Sequence, residues 1–138
     1  MTSKISISIL VLDDNLDDLH LIKRELDKTG TFDVQTFHDP EEFKAALNEE
    51  TYMVITDVKM DNYNVFDTVC EIKSTYPGIY VIVISGYFDV AIIKRLVNEC
   101  HIWGVIEKIG LNWLSEIKEI VHLTVPKMLQ KKMAQYDD

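Results

Sequence analysis

Five polar side chains come directly after four apolar, strand-like runs of this sequence. They are Asp13 and Asp14 after the first run, Asp57 after the third, Ser85 after the fourth and Lys108 after the fifth. If these runs are parallel strands of one sheet, their carboxyl ends meet at the same edge. Three carboxylates at one edge repel one another unless a cation lies among them. Mg²⁺ suits such oxygen ligands, because it keeps several waters and often pairs with a phosphoryl group.

The same residue types predict a reaction. The Asp57 carboxylate can act as a nucleophile and form an aspartyl phosphate. Phosphoryl transfer requires neutralisation of the charge on the equatorial oxygens, which a metal ion and the Lys108 ammonium would supply. The Ser85 hydroxyl can donate a hydrogen bond to a phosphoryl oxygen. The pattern therefore indicates phosphoryl transfer to Asp57.

Each of these residues taken alone also has a plain structural interpretation. Asp57 can simply end its strand and cap the next segment. Asp13 and Asp14 can cap the first helix, where the helix dipole favours a negative charge. Ser85 can be a turn residue and Lys108 a solvated surface lysine. The joint arrangement at four strand ends favours a site over a set of coincidences.

Strand and helix patterns alternate five times along the chain. The runs 52–56 and 80–84 are apolar and rich in β-branched residues, which is typical of strands buried on both faces of a parallel sheet. Asp39 and Pro40, followed by Glu42, predict a helix start. The alternation predicts an α/β protein with a doubly wound, five-stranded parallel sheet in the order 2-1-3-4-5 and helices on both faces.

Size and composition are those of a single globular domain. The 138 residues are 47% hydrophobic and carry a formal net charge of −9, which argues against nucleic acid as the main partner. No apolar run reaches the roughly 20 residues that cross a bilayer, and the start of the chain lacks a signal-peptide pattern. We therefore expect a cytoplasmic protein without membrane contact. Cys70 and Cys100 lack a CxxC spacing, and we expect them to be reduced thiols there.

On these residues the chain resembles the receiver domain of two-component response regulators. The resemblance covers about residues 5–122, and the stretches 10–15 (Leu-Val-Leu-Asp-Asp-Asn) and 56–60 (Thr-Asp-Val-Lys-Met) are very similar to the family. It implies a flavodoxin-like fold with Asp57 as the phosphoacceptor and Mg²⁺ as the cofactor. The implied metal ligands are Asp13, Asp14, Asp57 and the backbone carbonyl of Lys59, and the implied phosphoryl contacts are Ser85 and Lys108.

The resemblance also implies partners and boundaries. The phosphoryl donor would be a phosphohistidine on a sensor histidine kinase or a histidine phosphotransfer protein, and the downstream protein target stays open. We expect a receiver domain at residues 1–123 and a C-terminal helical extension or tail at 124–138. Because Pro126 interrupts the last helix pattern, that tail is either a kinked extension or a new helix capped by Thr124. We expect its apolar side to contact a partner or a second copy, with a homodimer through the fourth and fifth helices as the other arrangement.

Three positions depart from the family pattern. Asp61 and Val65 stand where receivers usually have Pro and Gly, so the loop after Asp57 can differ in shape. Ile109 stands where a Pro with a cis bond is usual, and we expect a trans bond because a cis non-Pro bond costs about 3 kcal/mol. Val105 replaces the aromatic residue that couples the site to the output face.

Two functions remain open from the sequence. The first is a phosphorylatable receiver that catalyses its own phosphorylation and dephosphorylation, rather than a turnover enzyme. The second is a degenerate receiver that binds proteins independently of phosphorylation, which Val105 and Ile109 favour. A phosphohydrolase of the haloacid dehalogenase type would require Asp at Lys59. An FMN carrier would require a phosphate loop at Asp13 and Asp14.

The route of the signal is a further prediction. Trp103 and Val105 are two residues apart on one strand and are expected to point the same way. Without a ring at Val105, the loop through Gly86, Tyr87 and Phe88 and the fourth helix are expected to carry a weak response. Tyr87 is also expected to limit the access of water to the acyl phosphate.

Overall fold

The computed structural model describes residues 6–86 and 90–134 of the chain. The elements are β1 (Ile7–Leu12), α1 (Leu16–Asp27), β2 (Phe32–Phe37), α2 (Pro40–Ala46), β3 (Thr51–Asp57), α3 (Val65–Thr75), β4 (Tyr80–Ser85), α4 (Val90–Glu99), β5 (Gly104–Glu107) and α5 (Trp113–Ala134). All four strand pairings are parallel, and the strand order is β2-β1-β3-β4-β5. The predicted fold class and strand order are confirmed.

The apolar runs become strands because helices cover both faces of the sheet. Every residue of β3 is buried, as a central strand of a parallel sheet requires. One core lies between the sheet and the pair α1 and α5, and includes Leu19, Ile22 and Val121. The other lies between the sheet and α2, α3 and α4, and includes Phe43 and Leu96. The sheet is thus held from both sides, which leaves its carboxyl edge free to carry chemistry.

Short polar side chains begin the helices that follow β1, β2 and β3. The side chain of Asn15 accepts a hydrogen bond from the backbone of Asp18 at the start of α1, and Asp39 and Asn64 do the same at α2 and α3. Such caps satisfy backbone donors that have no partner inside the helix. The predicted start at Asp39 and Pro40 is confirmed. No helix in the described part of the chain combines the length and apolar composition that a bilayer crossing requires.

Helix α5 continues through Pro126, so of the two predicted alternatives the helical extension is observed and the new helix capped by Thr124 is not. Pro126 lacks the N–H that a helix interior uses, yet side chains around it are packed into the protein. Thr124 is fully buried, and its hydroxyl donates to the carbonyl of Ile120 and accepts from Trp103 Nε1 at 2.8 Å. Met128 is 0% exposed and belongs to the core shared with α1. This part of the apolar side expected to meet a partner is covered by the chain itself, whereas Met133 is 64% exposed.

A disulfide joins Cys70 of α3 to Cys100, the residue after α4. The prediction that both are reduced thiols is therefore wrong. The 30-residue separation covers one helix–strand–helix repeat, so the two residues come to neighbouring helices on the same face, with Cα atoms 5.0 Å apart. That distance is within the range that a disulfide bridges. Neither the expected compartment nor the spacing of the two cysteines in the sequence predicts that they lie close together in the fold.

Replacing Met128 with Ala tests the contribution of the continued helix. The loss of a fully buried Met side chain should lower the free energy of unfolding by about 2–5 kcal/mol. Met133→Ala removes the same side chain from an exposed position of the same helix and should change it by about 0.5 kcal/mol or less. Urea denaturation of both variants measures the difference. Equal midpoints for the two would contradict the packing of this segment.

Replacing Cys70 with Ser tests the disulfide. Loss of a bridge that closes a loop of this length should lower the unfolding free energy by about 3.5–4 kcal/mol, mainly because the unfolded chain gains freedom. Reductant should bring the wild-type protein down to a similar stability and leave the variant unchanged. The bridge would be disproved by two free thiols per chain when the wild-type protein is labelled in denaturant without reductant.

Candidate functional site

Three carboxylates meet at the carboxyl edge of the sheet. Oxygens of Asp13, Asp14 and Asp57 all lie within 4.8 Å of one another. Asp57 is the last residue of β3, and Leu12 of β1 pairs with Thr56, so Asp13 and Asp57 emerge side by side. Asp13 is 0% exposed and Asp57 6% exposed, whereas Asp14 is exposed to solvent. The cluster predicted from the strand ends is therefore formed, with one side open.

Lys108 holds its ammonium group among the carboxylates. Its Nζ lies 2.8 Å from Asp13 Oδ2, 2.8 Å from Asp18 Oδ2 and 3.7 Å from Asp57 Oδ2. Its backbone N–H donates to the carbonyl of Ser85 at 2.7 Å, which fixes the point where the side chain leaves β5. The Lys108–Ile109 bond is trans, as expected, since the described part of the chain contains no cis peptide bond.

Asp18 is a contact of the site that the sequence analysis missed. It lies in the first turn of α1, and its carboxylate accepts from Lys108 as closely as Asp13 does. The position of Asp18 in the sequence could have predicted this contact, because the first turn of a helix that follows β1 begins at the same sheet edge as Asp13. An acid there fits the helix dipole as well, so this position has a structural explanation too.

Ser85 and Lys59 lie at the same edge of the sheet. Ser85 ends β4 and is buried, beside the strand that carries Asp57. The backbone N–H of Lys59 donates to Asp57 Oδ1 at 3.3 Å, while the metal contact assigned to its carbonyl stays a prediction. Tyr87 and Phe88 lie outside the described residues.

Burial and crowding change the acidity of the site. Burial, followed by the charge of Asp13, raises the pKa of Asp57 to about 6, although Lys108 opposes the change. Burial and the charge of Asp13 also raise the pKa of Asp14. Burial alone would lower the pKa of Lys108, but its hydrogen bonds to Asp13 and Asp18 outweigh that effect and raise it. The single ammonium of Lys108 thus lies among four carboxylates. Additional positive charge, such as that of a bound cation, would stabilise these carboxylates in their ionised form.

The donor set fits a hard divalent cation. Three carboxylates offer oxygen atoms at close range, and the exposed Asp14 leaves room for water ligands. Mg²⁺ favours few carboxylates combined with water and phosphoryl oxygens. The residues present are therefore compatible with Mg²⁺, and they lack the nitrogen and sulfur ligands that zinc sites use.

Trp103 and Val105 lie on opposite faces of the sheet, so the prediction that they point the same way is wrong. The ring of Trp103 packs edge-on against Tyr80, with centroids 5.0 Å apart, and its Nε1 donates to Thr124 of α5. Val105 instead packs against the core under α3 and α4. The strand begins only at Gly104, so the alternation of side chains does not extend back to Trp103.

Asp57→Asn should stabilise the metal-free protein at pH 8. The pKa of Asp57 rises from 3.8 to about 6 on folding, so its ionisation favours the unfolded chain once the pH is above that range. The gain in melting temperature should shrink as the pH falls through 6 towards 4, and it should also shrink when Mg²⁺ is added. Asp33→Asn, on the exposed side of β2, makes the same charge change away from the site. Equal effects of the two substitutions at pH 8 would contradict the crowding of carboxylates.

Comparisons with solved structures support the observed fold. A CheY-like receiver domain protein from Methanospirillum hungatei JF-1 is 18% identical, with a TM-score of 0.80, covering 91% of this chain and 98% of that one. The signal receiver domain of an HD domain-containing protein from Pseudomonas fluorescens Pf-5 is 17% identical, with a TM-score of 0.77 and the same two coverages. The BeF3-activated receiver domain of DrrB, a protein of Thermotoga maritima, is 23% identical, with a TM-score of 0.72, covering 91% and 99%.

A family comparison extends the likeness from fold to sequence. No curated protein sequence matches the chain. The model of the response regulator receiver domain matches residues 9–122, which contain all five strands except the start of β1 and every site residue described above. The chain therefore belongs to the family of response regulator receiver domains of two-component signalling.

Proposed function

We propose that this chain is a phosphoacceptor receiver of a two-component phosphorelay, with Asp57 as the residue that takes the phosphoryl group. The observation that carries the proposal is the cluster of Asp13, Asp14 and Asp57, with the Lys108 ammonium 3.7 Å from Asp57 Oδ2. A structural strand end would not require three crowded carboxylates and a buried cation at one point. A phosphoryl transfer site can use both, the carboxylates to hold a metal ion and the cation to neutralise charge on the phosphoryl oxygens.

Asp57 would act as the nucleophile. An oxygen of its carboxylate forms a bond to phosphorus while the bond from phosphorus to the donor's histidine nitrogen breaks, and the nitrogen keeps the electron pair. The backbone N–H of Lys59 donates to Asp57 Oδ1 and so holds the carboxylate in one orientation. Lys108 and the Ser85 hydroxyl would contact the oxygens of the transferred group.

Mg²⁺ would be held by Asp13, Asp14, Asp57 and the backbone carbonyl of Lys59. When bound, the ion supplies positive charge to the carboxylates and to the transferred phosphoryl oxygens. The burial of Asp13 beside Asp57 supports this assignment, since each carboxylate raises the energy of the other in the absence of added positive charge.

The proposed donor is a phosphohistidine on a sensor histidine kinase or a histidine phosphotransfer protein. A homodimer through α4 and α5, or through the C-terminal segment, stays a proposal supported by the exposed apolar side chains of Val90, Val97 and Leu123. A cytoplasmic location also stays a prediction from the sequence, and the disulfide between Cys70 and Cys100 is unusual for that compartment.

The second candidate function is a receiver that binds partners independently of phosphorylation. Val105 favours it, because this half-buried side chain offers no ring that can move between the core and the surface. Under this alternative the carboxylate cluster would persist without transferring phosphate.

Acetyl phosphate with Mg²⁺ separates the two functions. Intact mass spectrometry of the wild-type protein should show the addition of one phosphoryl group, and omission of Mg²⁺ should reduce it strongly. Asp57→Asn should abolish the gain, whereas Asp61→Asn, which removes an exposed acid four residues away, should leave it in place. If the wild-type protein gains no mass with Mg²⁺ present, the binding function is the correct one.

A further inference from the structure

The loop between β3 and α3, residues 58–64, carries the proposed metal contact of Lys59. Its first residue is held by the sheet, because the backbone N–H of Val58 donates to the carbonyl of Ile84 at 3.0 Å. Its last residue, Asn64, caps α3. Between them Asn62 adopts a left-handed backbone with φ of 54°, which is accessible to Asn but uncommon. The intervening peptides therefore need another contact to hold one conformation.

Tyr63 supplies that contact. Its hydroxyl lies 2.8 Å from Thr56 Oγ1, and Thr56 Oγ1 donates to the carbonyl of Asp57 at 3.0 Å. Either hydroxyl can donate in the first bond, and the side chain of Thr68 on α3 also interacts with the Tyr63 hydroxyl. A chain of two hydrogen bonds thus runs from the end of the loop to the main chain of the phosphoacceptor.

The packing around Thr56 and Tyr63 determines how strongly these two hydrogen bonds restrain the loop. Thr56 is fully buried, and the ring of Tyr63 packs against the core under α3 and α4. A cavity of about 260 Å³, lined by Lys59, Met60, Tyr63 and Ile92 among others, lies between the loop and α4. The loop therefore lacks close packing on that side and has space into which it can relax. Open space beside a segment gives it room to fluctuate, so a hydrogen bond that restrains the loop is expected to matter there.

We propose that Tyr63 is a positioning residue for the metal site: through Thr56, its hydroxyl holds the 57–59 backbone in the conformation that presents the Asp57 carboxylate and the Lys59 carbonyl to Mg²⁺. This inference rests on the function proposed above. The residue works through other groups, because its hydroxyl faces Thr56 on the side of the strand away from the carboxylates.

The substitution Tyr63→Phe removes only the hydroxyl. We expect Mg²⁺ to bind about three- to tenfold more weakly, the loss associated with one neutral hydrogen bond. Thr56→Val should have a similar effect, Thr56→Ser should restore near wild-type affinity, and the double variant Tyr63→Phe with Thr56→Val should be no worse than either single one. Such non-additivity is expected when two substitutions break the same chain of bonds. Titration with Mg²⁺ alone, followed by amide chemical shifts, measures the affinity.

Two controls separate positioning from general stability. Tyr80→Phe removes a tyrosine hydroxyl at the opposite, amino end of β4 and should leave Mg²⁺ affinity unchanged. Met128→Ala should lower the melting temperature, yet it too should leave the affinity unchanged at temperatures well below unfolding. Weaker binding in Met128→Ala equal to that in Tyr63→Phe would overturn the proposal, as would a Tyr63→Phe affinity within twofold of wild type.

Hydrogen exchange of the metal-free protein tests the loop without the proposed function. Amides of residues 58–64 should exchange several-fold faster in Tyr63→Phe, with little change in α1 and α5. Unchanged exchange there would overturn the positioning role. Failure of the wild-type protein to bind Mg²⁺ or to gain a phosphoryl group would instead refute the proposed function, and the exchange result would still show whether the hydroxyl holds the loop.

Discussion

The site depends on the ammonium group of Lys108, which lies at the edge where the parallel strands of the sheet end. Asp13 is completely buried, and burying a carboxylate without a nearby cation is energetically costly. Lys108 reaches it from β5, a strand of only four residues at the edge of the sheet. The backbone bond from Lys108 to Ser85 fixes its origin. The ammonium is therefore engaged by Asp13 and Asp18, and under the proposed function a phosphoryl group would have to compete with them for it.

The parts of this arrangement that the sequence predicts are those set by burial on both faces of a sheet. β3 and β4 must be continuously apolar to be covered by helices, so their ends are visible where the polar residues Asp57 and Ser85 begin. The strand order then follows from the handedness of the crossovers. Because strand ends place the site, its three carboxylates and Lys108 were predictable without any knowledge of side-chain contacts.

The parts that the sequence does not predict are contacts between residues far apart in the chain. Asp18 and Lys108 are 90 residues apart, and Trp103 meets Thr124 because a helix continues past its apparent stop. The cost of Pro126 inside α5 is offset by burial of neighbouring side chains, which local propensity does not contain. No sequence pattern around Tyr63 predicts its role, because its hydroxyl meets Thr56 only once the loop has folded.

The bridge between Cys70 and Cys100 gives α4 one anchored end. Arg95 adds a second restraint in the C-terminal half, with its guanidinium 3.8 Å from the ring centroid of Phe66 on α3. The amino end at Val90, in contrast, directly follows the segment that leaves Ser85. A helix of this length is about 15 Å long, so a tilt of about 10° around the anchored end displaces the other end by about 3 Å. A tilt of α4 about its bridged end would therefore displace its amino end, where Ile92 lines the same cavity as Lys59.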